Sequence, residues 1–157
     1  MAGNAIDRRR MLRGAGMAVG GAAITSVGLG SPALATSKNG VAGSWMIVHR
    51  DEVDSTPVTA VISFADGGVF ISHDISPAGP PFTGTWERRG GHRFRATFWS
   101  GFAGEGPGSI GPTIRIRATG RVARDNISGT FTFTVFAPTG EELESADGTF
   151  TGTRIEA

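Results

Sequence analysis

Phe82-Thr-Gly-Thr-Trp86-Glu-Arg-Arg-Gly90-Gly-His-Arg-Phe94-Arg-Ala-Thr-Phe-Trp99 is the stretch that decides the fold. Phe94, Ala96 and Phe98 alternate with Arg93, Arg95 and Thr97, which is the period of a strand with one buried face. Gly84, Trp86 and Arg88 alternate with Thr85 and Glu87 in the same way. The two runs flank Gly90-Gly91 and pair as a hairpin, and the pattern chooses the register. A two-residue loop sets Trp86 opposite Arg95. A three-residue loop, Arg89-Gly90-Gly91, sets Trp86 opposite Phe94 and Gly84 opposite Ala96. The second choice puts every large apolar group on one face, and glycine supplies the left-handed residue such a loop needs.

Outward from this hairpin the plan repeats. Ser44 to Arg50 places Trp45, Ile47 and His49 on one face, and Val58 to Phe64 does the same for Val58, Ala60, Ile62 and Phe64. Asp66-Gly67 is a two-residue hairpin signal. It sets Phe64 against Val69, Ile62 against Ile71 and Ala60 against His73, so strand three is Val69 to His73. Asp74 to Pro81 is a loop, because Pro77, Pro80 and Pro81 lack ladder donors. A Gly-rich loop, 100–112, precedes Thr113 to Val122, with Ile114, Ile116 and Ala118 inward. Ile127 to Phe136 follows, and a last strand runs from about Glu142 to Ile155. There Leu143 falls on the face opposite Phe150, which implies an exposed Leu143 or a bulge near Asp147-Gly148. A Gly-x-aromatic motif recurs at Gly43-x-Trp45, Gly84-x-Trp86, Gly129-x-Phe131 and Gly148-x-Phe150. The glycine removes bulk where the sheet bends, and the ring fills the space beside it. About eight antiparallel strands in sequential hairpins predict an all-β, antiparallel up-and-down barrel. An open sandwich is the alternative, since strand count does not show closure.

Composition narrows the function. Of fifteen basic and fourteen acidic residues, four basic (Arg8, Arg9, Arg10, Arg13) and one acidic (Asp7) lie in segment 1–35. The rest holds eleven basic and thirteen acidic groups. A near-neutral body with a single lysine and no basic stripe argues against a nucleic-acid partner. The absence of cysteine removes disulfides, thiolate metal sites and a cysteine nucleophile. Gly104-Glu105-Gly106-Pro107-Gly108 is no phosphate loop, because no helix follows and Pro107 removes a donor.

Asp7-Arg8-Arg9-Arg10-Met11-Leu12-Arg13 resembles the twin-arginine export signal, with Arg8-Arg9 as the pair. A weakly apolar run, Gly14 to Gly30, then leads to Ala33-Leu34-Ala35, a small-x-small cleavage site. The expected organisation is a signal peptide over 1–35, cut after Ala35 so that Thr36 comes first, and a β-barrel domain over 36–157. By that resemblance the protein is bacterial and engages the twin-arginine translocase during export. It ends secreted or periplasmic, with no stable membrane anchor after cleavage.

At Gly43-x-Trp45 the chain resembles the calycin superfamily, the lipocalins and avidin-like barrels. In lipocalins a Gly-x-Trp opens the first strand at the closed end, and a basic residue late in the last strand packs over that Trp. The resemblance assigns this barrel-closing role to Trp45 and Arg154. It implies a lipocalin-like barrel with a pocket, and it names no ligand. Other small bacterial barrels, such as the allene-oxide-cyclase-like cyclases, share the outline with different chemistry.

Loop lengths say which end is open. Connections 65–68, 89–91 and 123–126 are short and share one end, the bottom. Connections 51–57, 74–81, 100–112 and 137–141 are longer and share the top, where binding usually sits on a rigid barrel. Parity places His49 and His73 inward at the top with small Ala60 between them, and Glu144 enters if strand eight closes on strand one. His49, His73 and Glu144 are thus the catalytic candidates, since imidazole and carboxylate can serve as base and acid. No metal site is expected from so few ligands, and no cofactor. The ligand-binding candidates are His49, Ala60, His73, Trp86, Phe98 and Phe133. No residue set identifies a reaction. The leading expectation is therefore a barrel that binds a small apolar molecule. A cofactor-free cyclase or isomerase and a filled barrel working through its surface are the alternatives.

Overall fold

Alternation of apolar and polar residues turns every strand with one face in. The computed structural model describes residues 40–156. The expected signal segment, with the expected cleavage site at Ala33 and Ala35, lies outside the described residues. The strands are β1 (Gly43–Asp51), β2 (Val58–Phe64), β3 (Val69–Ser76), β4 (Phe82–Arg88), β5 (Arg93–Ala103), β6 (Ile110–Ala123), β7 (Asn126–Phe136) and β8 (Glu142–Arg154). Each pairs antiparallel with the next, and β8 returns to β1, so the sheet is a closed up-and-down barrel. Closure excludes the open sandwich and leaves no sheet edge exposed.

Two registers differ from the sequence reading. The β4–β5 loop is Gly90-Gly91-His92, closed by the Arg89 N–H donating to the Arg93 carbonyl at 3.0 Å. Trp86 therefore opposes Ala96, and Gly84 opposes Phe98. The shift is two residues, so inner and outer faces are unchanged. It favours the core, because the bulk of Phe98 lies over a glycine.

The β2–β3 hairpin shifts by one residue, and this changes everything downstream on β3. Gly67 and Gly68 both take positive φ (87° each), and the Ala65 N–H donates to the Val69 carbonyl at 2.9 Å. The turn thus holds three residues, 66–68, rather than Asp66-Gly67 alone. Phe64 opposes Phe70, Ile62 opposes Ser72 and Ala60 opposes Asp74. A one-residue slip exchanges the faces. Phe70, Ser72 and Asp74 point in, while Val69, Ile71 and His73 point out. The core gains a phenylalanine from the exchange, and the barrel loses His73.

β5 and β6 also run past the expected Gly-rich loop, which shrinks to 104–109. Leu143 is exposed, and the β7–β8 irregularity sits between Val135 and Phe136 rather than near Asp147.

The interior is largely aromatic. The Phe64 ring meets Phe70, Trp86 and Phe94 edge-on, with centroids 4.7–5.3 Å apart. Phe70 in turn leans on Phe98 at 4.4 Å. Fully burying each such ring contributes roughly 1.5–3 kcal/mol. Glycines make room for them: Gly129 opposes Phe150 and Phe131 opposes Gly148, so the two Gly-x-Phe motifs of β7 and β8 interlock head to tail. The bottom is closed by Val41, Trp45 and Phe64, all but fully buried. The outward faces of β4 to β7 carry mostly arginines and threonines, whereas β1 and β3 expose Met46, Val48, Val69 and Ile71.

Candidate functional site

The barrel encloses a cavity of about 60 Å³. Its wall is almost entirely apolar, with Ile62, Phe64, Phe94, Ala96, Ala118 and Phe150 prominent. Three polar residues break that wall: His49, Ser72 and Asp74. All three lie towards the top ends of β1 and β3. His49 Nε2 and Asp74 Oδ1 are 3.2 Å apart, and both side chains remain about one-fifth exposed (23% and 19%). The pair therefore stands between the cavity and water. The His49 ring meets Phe131 edge-on at 5.7 Å, which limits how far it can swing. Ser72 is 6% exposed and points into the same space.

The barrel separates the candidates expected from the sequence. His49 and Phe98 line the cavity. His73 stands on the outer face, opposite Val61, and Asp74 takes the inward place expected of it. Ala60 is fully buried between Ile47 and Asp74, not between two histidines, and it is not in the cavity wall. Trp86 is buried and its Nε1 donates to the Ala65 carbonyl at 2.8 Å, so it serves the bottom of the barrel. Phe133 is buried in β7 outside the cavity wall. Glu144 has the parity of Phe150 but opposes Val135. It is six residues up β8 from Phe150, the neighbour of His49, hence roughly 20 Å along the strand. It does not join the polar pair. Among the described residues no group of three or more His, Asp or Glu is placed to hold a metal ion. The sequence reading missed Asp74 and Ser72, and the only signal for them was the second glycine, Gly68, which lengthens the turn.

The closed end is built by Trp45 and Arg154, which oppose each other where β1 meets β8. The Arg154 guanidinium lies 4.1 Å from the Trp45 ring centroid. It donates to the carbonyls of Ala42 (3.0 Å) and Gly40 (2.5 Å), and the Trp45 indole N–H donates to that of Val41 (3.1 Å). One cation thus ties the incoming segment 40–42 across the base of the barrel.

Fold and site together define a small closed eight-stranded barrel with an apolar interior, a sealed base and a polar pair at its upper end. The chain matches no protein-family model, and no curated protein sequence matches it significantly.

Proposed function

We propose that this protein is an exported, calycin-like barrel that binds a small, mostly apolar molecule carrying one polar group. The observation that carries the reading is the cavity wall, apolar everywhere except at His49, Ser72 and Asp74. Such a wall holds a hydrocarbon body by exclusion of water and orients it through a few placed polar groups. Its size limits the ligand. Drug-sized molecules occupy pockets of about 300–1,000 Å³, so this cavity of about 60 Å³ suits a molecule of only a few heavy atoms. Native mass spectrometry of protein purified from its own host should find a retained low-mass species. Titration with butanone should shift the methyl NMR signals of Ile47, Ile62 and Ile116. Ala118→Leu, which fills the cavity from the wall, should abolish both signals at a cost of about 1–3 kcal/mol in stability. His49→Phe removes the polar contact and should weaken butanone binding by about tenfold. A cavity that stays empty in both measurements would leave the filled barrel.

The His49–Asp74 pair favours one second reading, a cofactor-free isomerase or cyclase in which a carboxylate-held imidazole moves a proton. In that case His49→Asn abolishes turnover and leaves binding nearly unchanged.

Export rests on the Arg8-Arg9 pair ahead of Ala33-Leu34-Ala35. N-terminal sequencing of the secreted or periplasmic protein should begin at Thr36. Arg8→Lys with Arg9→Lys should retain the precursor in the cell, and undiminished export of that variant would refute the twin-arginine route.

A further inference from the structure

Charge on this barrel is segregated, although the chain is nearly neutral. On the outer face of β5 and β6, Arg93 opposes Arg121, Thr97 opposes Arg117 and Trp99 opposes Arg115. Arg95 lies between them on β5, and Arg89 follows β4 at the same end. Six of the eleven basic groups beyond residue 35 are thus gathered here with one of the thirteen acidic groups, Glu87. The expected absence of a basic stripe is corrected by strand pairing, which brings together arginines that are far apart in the chain. Glu87 is held by Arg89 at 2.7 Å and by Arg95. Asp147, on β8 beyond the far edge, accepts from Thr132 at 2.5 Å. Arg93, Arg117 and Arg121 are exposed, and none is in an ion pair among the described residues. Placing Arg93 directly across from Arg121 works against folding, because like charges opposed on a ladder repel. An external anion would relieve that repulsion.

We propose that the outer face of β4–β7 is a docking surface for a linear acidic polysaccharide, one whose sugars carry carboxylate or sulfate groups. Shape argues for a chain. The face is dished into a groove of about 740 Å³, floored by Thr85, Thr97, Thr119, Thr130 and Thr132 beside Arg95 and Arg117. A second hollow of about 460 Å³ adjoins it, sharing Thr119 and Thr130 and ending at Arg89, Arg93 and Arg121. The two make one track, longer than a single small anion needs. A concave track does not lie against a flat bilayer. Chemistry then favours sugar. Guanidinium groups pair with carboxylates and sulfates in a fixed fork geometry, and the row of threonine hydroxyls between them matches sugar hydroxyls. Single-stranded nucleic acid needs successive aromatic platforms for its bases, whereas among the described residues the exposed aromatic of this face is Trp99, stacked on the half-buried Phe136 at one end of it. This surface is on the opposite side of the sheet from the cavity, and the proposal stands whether or not the interior binds anything.

The test is calorimetric titration of the full chain with polygalacturonate, dextran sulfate, neutral dextran and oligo-dT. Binding to at least one acidic polysaccharide is expected, with an affinity that falls as salt rises and no response to neutral dextran. The variant Arg93→Ser, Arg117→Ser, Arg121→Ser should lose at least roughly tenfold in affinity at low salt and show a shallower salt dependence. Arg50→Ser, on β1 away from the face, should change affinity less than about twofold. A second measurement needs no variant. Bound acidic polysaccharide should protect Arg93, Arg117 and Arg121 from phenylglyoxal, read by peptide mass spectrometry. The proposal is overturned by failure to bind either acidic polymer, by wild-type affinity in the triple variant, or by tighter binding of oligo-dT. Protection confined to Arg8–Arg13 or to Arg50 and Arg124 overturns it equally.

Discussion

Arg154→Ala should be among the most destabilising single changes outside the aromatic core. The guanidinium covers the Trp45 ring and donates to two main-chain carbonyls at the base. A desolvated cation–π contact is worth about 2 kcal/mol, and each hydrogen bond from a charged group about 1.5–3 kcal/mol. These terms overlap, so a combined loss of about 3–4 kcal/mol is expected. It should lower the melting temperature by roughly 10–15 °C. The exposed Asp125 carboxylate, 3.8 Å from Nε, adds little to this. Arg154→Lys keeps the charge but not the planar fork, and it should recover less than half of the loss. Thermal unfolding of the alanine variant within about 3 °C of wild type would rule out this role for Arg154.

A single methyl group at Gly129 should have a comparable effect. A Cβ there meets the backbone oxygen of Thr119, the Phe150 ring at 2.6 Å and the Gly120 Cα at 2.7 Å. Two of these neighbours are main chain of β6, so no rotamer change relieves the contact and the ladder itself must part. Overpacking of this kind costs about 3 kcal/mol. Gly129→Ala should therefore melt roughly 10 °C lower. Adding Phe150→Leu removes the ring contact but not the backbone one, and it should restore little. A double variant as stable as wild type would show that the ring, not the strand spacing, sets the requirement for glycine.

The two hairpin turns show where sequence reading works and where it stops. Around Gly90-Gly91 the loop is one residue further along than expected, yet the faces survive because the register moves by two. Around Asp66-Gly67 the turn takes in Gly68, and the register moves by one. Both Val69-x-Ile71 and Phe70-x-Ser72 are plausible inward sets by hydrophobicity alone, so the local pattern on β3 is degenerate. What separates them is the space available: Phe70 packs between Phe64 and Phe98. That contact joins three strands and is invisible in any one of them. The candidate site inherited the ambiguity, and Asp74 replaced His73 as the partner for His49.

From the alternation of residue types, the chain by itself determined eight antiparallel strands, their order and the end that carries the long loops. Local periodicity is enough for this, because a strand with one apolar face has few ways to bury it. Only the tertiary structure decided the closure of β8 on β1, the size of the cavity and the identity of its polar pair. It also decided that arginines from β5 and β6 form one face. Each of these depends on lateral register and on volumes shared between strands distant in sequence, which no local pattern encodes.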